Sequence, residues 1–168
     1  MNVGEDHLKA APRASAPPGT LAVGIGAFAL LELALAVFTA VAPHAFYIAI
    51  GPFGSFNSHY LRDVASFEGA MGLALAAAVR RPGWRVPVLA LTTVQFALHS
   101  ANHLLDIGRA HPRFTGYFDF FSLAAATVML ARLWRAAGRE AAHREHPAGA
   151  RATSVPAPLS PTPGRSIP

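Results

Sequence analysis

Apolar residues along the chain are grouped into long runs separated by short segments rich in Pro, Gly and Arg. The runs occupy about residues 20–42, 59–79, 84–106 and 117–135. As a helix, each run is long enough to cross a hydrocarbon core of about 30 Å. The connections between the later runs are short, which makes consecutive helices antiparallel neighbours. The pattern therefore predicts an all-α fold, a four-helix transmembrane bundle with up-down-up-down topology over residues 20–137.

The segments outside these runs predict less regular structure. Residues 43–58 contain prolines, glycines and aromatics and are predicted to be a loop or a short interfacial helix over one end of the bundle. Residues 1–19 and 138–168 have the composition of disordered tails, the second one basic and rich in Pro and Ala. Within the second run, Gly69 and Gly72 predict a close approach to another helix.

Composition and charge support the membrane class and argue against nucleic acid as a partner. Hydrophobic residues make up 52% of the chain and charged residues only 14%, against about 25% in soluble domains. The absence of cysteine excludes disulfides and thiolate metal sites. The net charge is +5, but the basic residues flank the apolar runs instead of forming one binding element. Their excess on one side predicts that both termini are cytoplasmic. The residues on that side are Lys9, Arg13, Arg80, Arg81, Arg85, Arg132, Arg135 and Arg139.

The third run contains an unusual stripe of polar residues. At helical spacing, one side of this run collects Thr92, Gln95, His99, Asn102, His103 and Asp106. Polar groups inside a bilayer are expensive and commonly functional. Other spans add His59, Asp63 and Glu68, and Glu32 lies near the bilayer centre. We expect these groups to line an outward-facing pocket that narrows toward Glu32, with Glu68 paired to His99. Asp63 is also suited to an ion pair with an arginine at the interface.

His99 and His103 form an H-x-x-x-H motif, in which two imidazoles on one helix face can bind one metal ion. A carboxylate from Asp63, Glu68 or Asp106 would complete a site for zinc, iron or another divalent metal. The same stripe is also explained by hydrogen bonds between packed helices or by a proton-linked pocket. The residues alone leave these alternatives open.

The segments FNSHYLRDVASFEGAMGLAL and HSANHLLDIG resemble small uncharacterised four-helix bacterial inner-membrane proteins of the broadly DoxX-like kind. The resemblance covers about residues 20–135 and rests on layout and on a few polar positions. These positions are Asn57, His59, Arg62, Asp63, His99, His103 and Asp106. DoxX is tied to a membrane quinone-reducing oxidoreductase. The resemblance implies a multi-pass protein of the bacterial plasma membrane and assigns no catalytic residue.

These observations predict a small integral membrane protein whose polar pocket binds a small ligand, a divalent metal or a quinone, as part of a redox or transport assembly. The alternative is an accessory or scaffold subunit that uses the polar stripe only for helix packing. A membrane-embedded isomerase or hydrolase is a third class, so enzymatic activity is left open. The expected partners are the lipid bilayer and either another membrane protein or a second copy of the chain.

Overall fold

A computed structural model describes residues 19–145 of the chain, and this part contains five α-helices and no strand. The helices are α1 (Thr20–Val41), α2 (Pro43–Ala49), α3 (Ser58–Arg80), α4 (Pro82–Leu105) and α5 (Arg113–Glu145). The predicted all-α class is confirmed. Most of the two predicted tails lies outside the described residues.

Local sequence signals account for several helix ends. The Asn57 side chain accepts hydrogen bonds from the backbone N–H groups of His59 and Tyr60, both at 3.1 Å, and so caps the start of α3. Pro82 begins α4 one residue after the end of α3, where its missing N–H costs nothing. The segment after α1 forms the short helix α2 and then a loop. Tyr47 in α2 donates a hydrogen bond to the Gly54 carbonyl of this loop at 2.6 Å, and Gly54 adopts φ +64°.

The last helix differs most from the prediction. The expected span covers residues 117–135 and the expected disordered tail begins at residue 138, whereas the helix α5 runs from Arg113 to Glu145 and so extends beyond the expected span at both ends. Its final turns are held by a contact with α4: Arg85 Nη1 donates to both carboxylate oxygens of Glu140, at 2.9 and 2.8 Å. Ala137 is also buried. The composition of the chain after residue 138 suggested a segment that cannot bury a core. This end of α5 is instead stabilised by a contact with Arg85, which is far away in sequence.

The long helices pack mainly as two pairs, α1 with α3 and α4 with α5. Glycines bring α1 and α3 close together, as their positions in the second apolar run predicted. A Cβ atom on Gly72 would lie 2.8 Å from Leu33 Cγ and 3.0 Å from the Leu33 backbone nitrogen. A Cβ atom on Gly69 would lie 3.6 Å from Ala36 Cβ, which is ordinary contact. The tightest point of the pair is therefore at Gly72.

Large apolar side chains are abundant on the outside of the molecule. Leu30 on α1, Leu73 on α3, Leu98 on α4 and Phe121 on α5 are each more than 60% exposed. The interior is instead rich in small or polar residues, including Ala29, Ala36, Ala65, Ala78, Thr39, Thr92 and Glu32. Of the described helices, α1 and α5 are long and apolar enough to cross a membrane. This arrangement supports association with a membrane.

Candidate functional site

The two histidines of the H-x-x-x-H motif contact each other on successive turns of α4. His99 Nε2 and His103 Nε2 are 3.1 Å apart, which is a hydrogen-bond distance. Both side chains are partly buried. A neutral imidazole has one N–H donor and one acceptor nitrogen, so one of the two Nε2 atoms donates and the other accepts. The motif therefore forms one hydrogen-bonded unit.

Asp119 on α5 faces the other ring nitrogen of His103. Its Oδ2 atom lies 4.0 Å from His103 Nδ1, and the two side chains are only 11% and 16% exposed. This distance is within ion-pair reach but too long for a hydrogen bond. The loop residue Phe53 covers the same imidazole, with its ring edge-on at 4.9 Å between centroids. His103 is thus enclosed by His99, Asp119 and Phe53. Sequence reasoning did not include Asp119 or Phe53 among the site residues.

Several polar atoms are buried within the described residues without a hydrogen-bond partner. They are Thr39 Oγ1, Glu68 Oε2, Gln95 Oε1, Ser100 Oγ, His103 Nδ1 and Asp119 Oδ2. Each such atom typically costs about 1–3 kcal/mol, and native folds contain few of them. These atoms occur on all four long helices, so each of these helices contributes a buried polar group whose hydrogen-bonding capacity is unsatisfied. We call these residues, together with Glu32 and His99, the polar core.

Two acidic members of the polar core, Glu32 and Glu68, lie on α1 and α3, and the third, Asp119, lies on α5. Glu32 is 5% exposed, and Glu68 lies close enough to act on it electrostatically. The expected hydrogen bond between Glu68 and His99 is not formed, because His99 Nε2 contacts His103 and Glu68 Oε2 has no partner among the described residues.

The contact between α3 and α4 suggests a different neighbour for Glu68. Thr92 Oγ1 lies 3.1 Å from Met71 Sδ, which joins the two helices. Glu68 and Gln95 are each one turn farther from the α3–α4 connection than these two residues. Both carry an unpartnered buried oxygen. The helical spacing therefore brings Glu68 and Gln95 to the same seam between α3 and α4.

Of the other predicted site residues, His59, Asp63 and Asn102 lie on exposed faces, whereas Asp106 lies close enough to His103 to act on it electrostatically. His59 and Asp63 are on an exposed face of α3, with side chains 88% and 66% exposed, and their charged atoms are 3.6 Å apart. Asn102 is exposed, and Asp106 binds Arg109 at 2.9 Å. Ligand binding by these four residues stays a prediction. Asp63 pairs with a histidine and not with the expected arginine.

The two clefts described on the surface are lined by other residues. One, of about 440 Å³, is lined by Tyr47, Ile48, Pro52, Gly54, Arg109 and His111. The second, of about 520 Å³, is lined by Pro82, Gly83, Val86, Ala141, Arg144 and Glu145. Neither cleft is lined by any of the predicted ligand-binding residues, so the expected pocket that narrows toward Glu32 is not one of these clefts. Phe53 lies between two lining residues of the first cleft and contacts His103.

Among the described residues, no three His, Asp or Glu side chains are grouped so that they could hold a metal ion. Metal binding by His99 and His103 stays a prediction from their spacing.

Comparison with known proteins gives no relative from which a role could be transferred. No protein-family model, curated protein or solved structure matches the chain.

Proposed function

We propose that the protein is a small multi-pass membrane protein of the bacterial plasma membrane whose polar core binds a small ligand of the quinone class. All four long helices cross the bilayer in this proposal, as an up-down bundle. The exposure of large apolar side chains on each of them supports this, since lipid solvates such side chains and water does not. The small residues between α1 and α3 are typical of helix packing in membranes.

The orientation of the bundle follows from its arginines. Arg80 ends α3 and Arg81 connects it to α4, and the Arg85–Glu140 contact brings the last turns of α5 to the same end. This end is the cytoplasmic one in the proposal, because basic residues accumulate there. Both termini are then cytoplasmic. His103 and Asp119 lie toward the opposite, outer end.

The observation that carries the ligand proposal is the buried Asp119–His103–His99 row with unpartnered polar atoms around it. A quinone has two carbonyl oxygens that accept hydrogen bonds, and the imidazole N–H groups are suitable donors. Its ring is flat and apolar, and Phe53 provides an aromatic neighbour at His103. A bound ligand would replace hydrogen bonds that the protein alone leaves unmade.

The same row also supports proton exchange with the ligand. After a small side-chain movement that brings Asp119 Oδ2 from 4.0 Å to hydrogen-bond distance of His103 Nδ1, a proton from the Asp119 carboxyl group can pass to His103 Nδ1 while the His103 Nε2 proton passes to His99 Nε2. The Nδ1 proton of His99 then leaves to a quinone oxygen that has received electrons from a separate redox partner, so every proton that enters at Asp119 is balanced by one that leaves at His99. Phe53 and the surrounding helices limit the access of water to this path.

Binding of short-chain ubiquinone to the purified protein in detergent tests the proposal. We expect saturable binding by calorimetry that falls about tenfold in Asp119→Asn and in His99→Ala, the loss of roughly one charged-group hydrogen bond. Asn102→Ala is the matched control, because this amide lies on the same helix but is exposed. The proposal is wrong if the native protein does not bind the quinone, or if all three variants bind it equally.

A scaffold subunit without a ligand is the second candidate function. It is favoured by one observation: the two described clefts bypass the polar core, which is closed around His103. In that case the His99→Ala/His103→Ala double variant loses helix packing, seen as a lower unfolding temperature, while no quinone or metal is found in extracts of the native protein. Measuring the metal content of the same extracts tests the metal alternative directly.

A further inference from the structure

We propose that the end of the molecule formed by the α3–α4 connection and the last turns of α5 binds the phosphate groups of anionic phospholipids. We call this region the basic end. The inference rests on the membrane part of the proposed function and is independent of the quinone ligand. It concerns side chains that do not belong to the polar core.

Exposed arginines from α3, from the α3–α4 connection and from α5 meet at the basic end. They are Arg80, Arg81, Arg132, Arg135 and Arg139, all of them exposed to solvent. The Arg85–Glu140 contact fixes the last turns of α5 beside the α3–α4 connection, and so brings together arginines that are far apart in sequence. Guanidinium groups bind phosphate oxygens in a bidentate manner, which suits this end to phosphodiester groups.

Glu140, one of the two acidic residues in the last turns of α5, is already engaged. Glu140 accepts hydrogen bonds from Arg85 at 2.9 and 2.8 Å and from Arg144 at 3.2 Å. Among the described residues, no ion pair joins an acid to any of the five exposed arginines. At the opposite end Arg109 is paired with Asp106 at 2.9 Å, and only Arg62 and Arg113 are without an ion pair among the described residues, so the basic end carries the larger number of such arginines. An anionic partner is therefore expected at the basic end.

The tryptophans distinguish a lipid headgroup from a dissolved anion. Both tryptophans of the chain, Trp84 and Trp134, lie at the basic end and are 46% and 39% exposed. Tryptophan is enriched where a membrane meets water. The Arg81 guanidinium lies 5.5 Å from the centre of the Trp84 ring, so charge and aromatic surface are presented together. An amphiphile with a phosphate group and acyl chains fits this combination.

Lipid binding by the full-length protein tests the inference. Phosphatidylglycerol is titrated into protein held in neutral detergent, and bound lipid is counted by native mass spectrometry. Each arginine near a membrane surface contributes about a fivefold gain in affinity, so Arg80→Gln/Arg81→Gln/Arg135→Gln should bind roughly a hundredfold more weakly. The control is Arg62→Gln/Arg109→Gln/Arg113→Gln, which removes the same charge from the opposite end and should bind as the native protein does.

Four outcomes would overturn the inference. The first is equal lipid binding by the native protein and by the variant Arg80→Gln/Arg81→Gln/Arg135→Gln. The second is an equal loss of lipid affinity in the control variant. Competition by inorganic phosphate as effective as that by the lipid would indicate a site for a dissolved anion. Failure of the native protein to enter lipid nanodiscs would refute the membrane proposal as well, whereas failure of quinone binding alone leaves the inference intact. An Arg→Lys version of the first variant, which keeps the charge, checks folding and should recover most of the affinity.

Discussion

The substitution Gly72→Ala tests the closest contact between α1 and α3. Its new Cβ atom would lie 2.8 Å from Leu33 Cγ and 3.0 Å from the Leu33 backbone nitrogen, so the two helices must separate by a few tenths of an ångström. Overpacking of this kind costs about 1–3 kcal/mol. Replacing Gly by Ala in a helix stabilises the fold by about 1 kcal/mol, because alanine has the higher helix propensity. The net effect is a destabilisation of up to about 2 kcal/mol.

Gly69→Ala is a matched control one turn away on the same helix. It gains the same helix propensity, but its Cβ atom would make only an ordinary contact with Ala36 Cβ, at 3.6 Å. The difference between the two variants therefore isolates the overpacking cost of about 1–3 kcal/mol. Reversible unfolding by dodecyl sulfate in mixed micelles, followed by circular dichroism, measures it. Identical unfolding midpoints for the two variants would refute the proposed α1–α3 contact.

Three further substitutions test other parts of the structure. Glu140→Gln should lower the free energy of unfolding by about 1–3 kcal/mol, because it weakens the hydrogen bonds to Arg85. Faster exchange of the backbone amide hydrogens after residue 137 would confirm this prediction, and unchanged exchange would contradict it. Gly116→Ala places a Cβ atom against the Ile107 backbone carbonyl and should destabilise the fold by about 1–3 kcal/mol, whereas an unchanged melting temperature would argue against that connection. Asn102→Ala should change stability by no more than about 0.5 kcal/mol, because this side chain is exposed, and a larger loss on thermal unfolding would mean that the amide is buried.

Sequence reasoning located the helices well, because their signals are local. Proline and glycine mark the segments between the helices, and Asn57 caps α3 at the place where the second apolar run begins. The site was recovered only in part. The His99–His103 contact follows from spacing on one helix, but the contact of His103 with Asp119 depends on how α5 packs against α4. A lone aspartate among the aromatics at 117–121 was the signal that could have indicated it.

The amino-acid sequence by itself determined that the chain is helical, that its long helices are apolar, and that one of them carries two histidines on the same face. These properties depend on residues within a few turns of one another. The tertiary structure decided which polar groups are buried together. It left Asn102 exposed, brought Asp119 to His103, and extended α5 through a contact between Arg85 and Glu140, residues 55 positions apart. The physical reason is that the burial of a polar group depends on which neighbouring helix covers it, and periodicity within one helix does not contain that information.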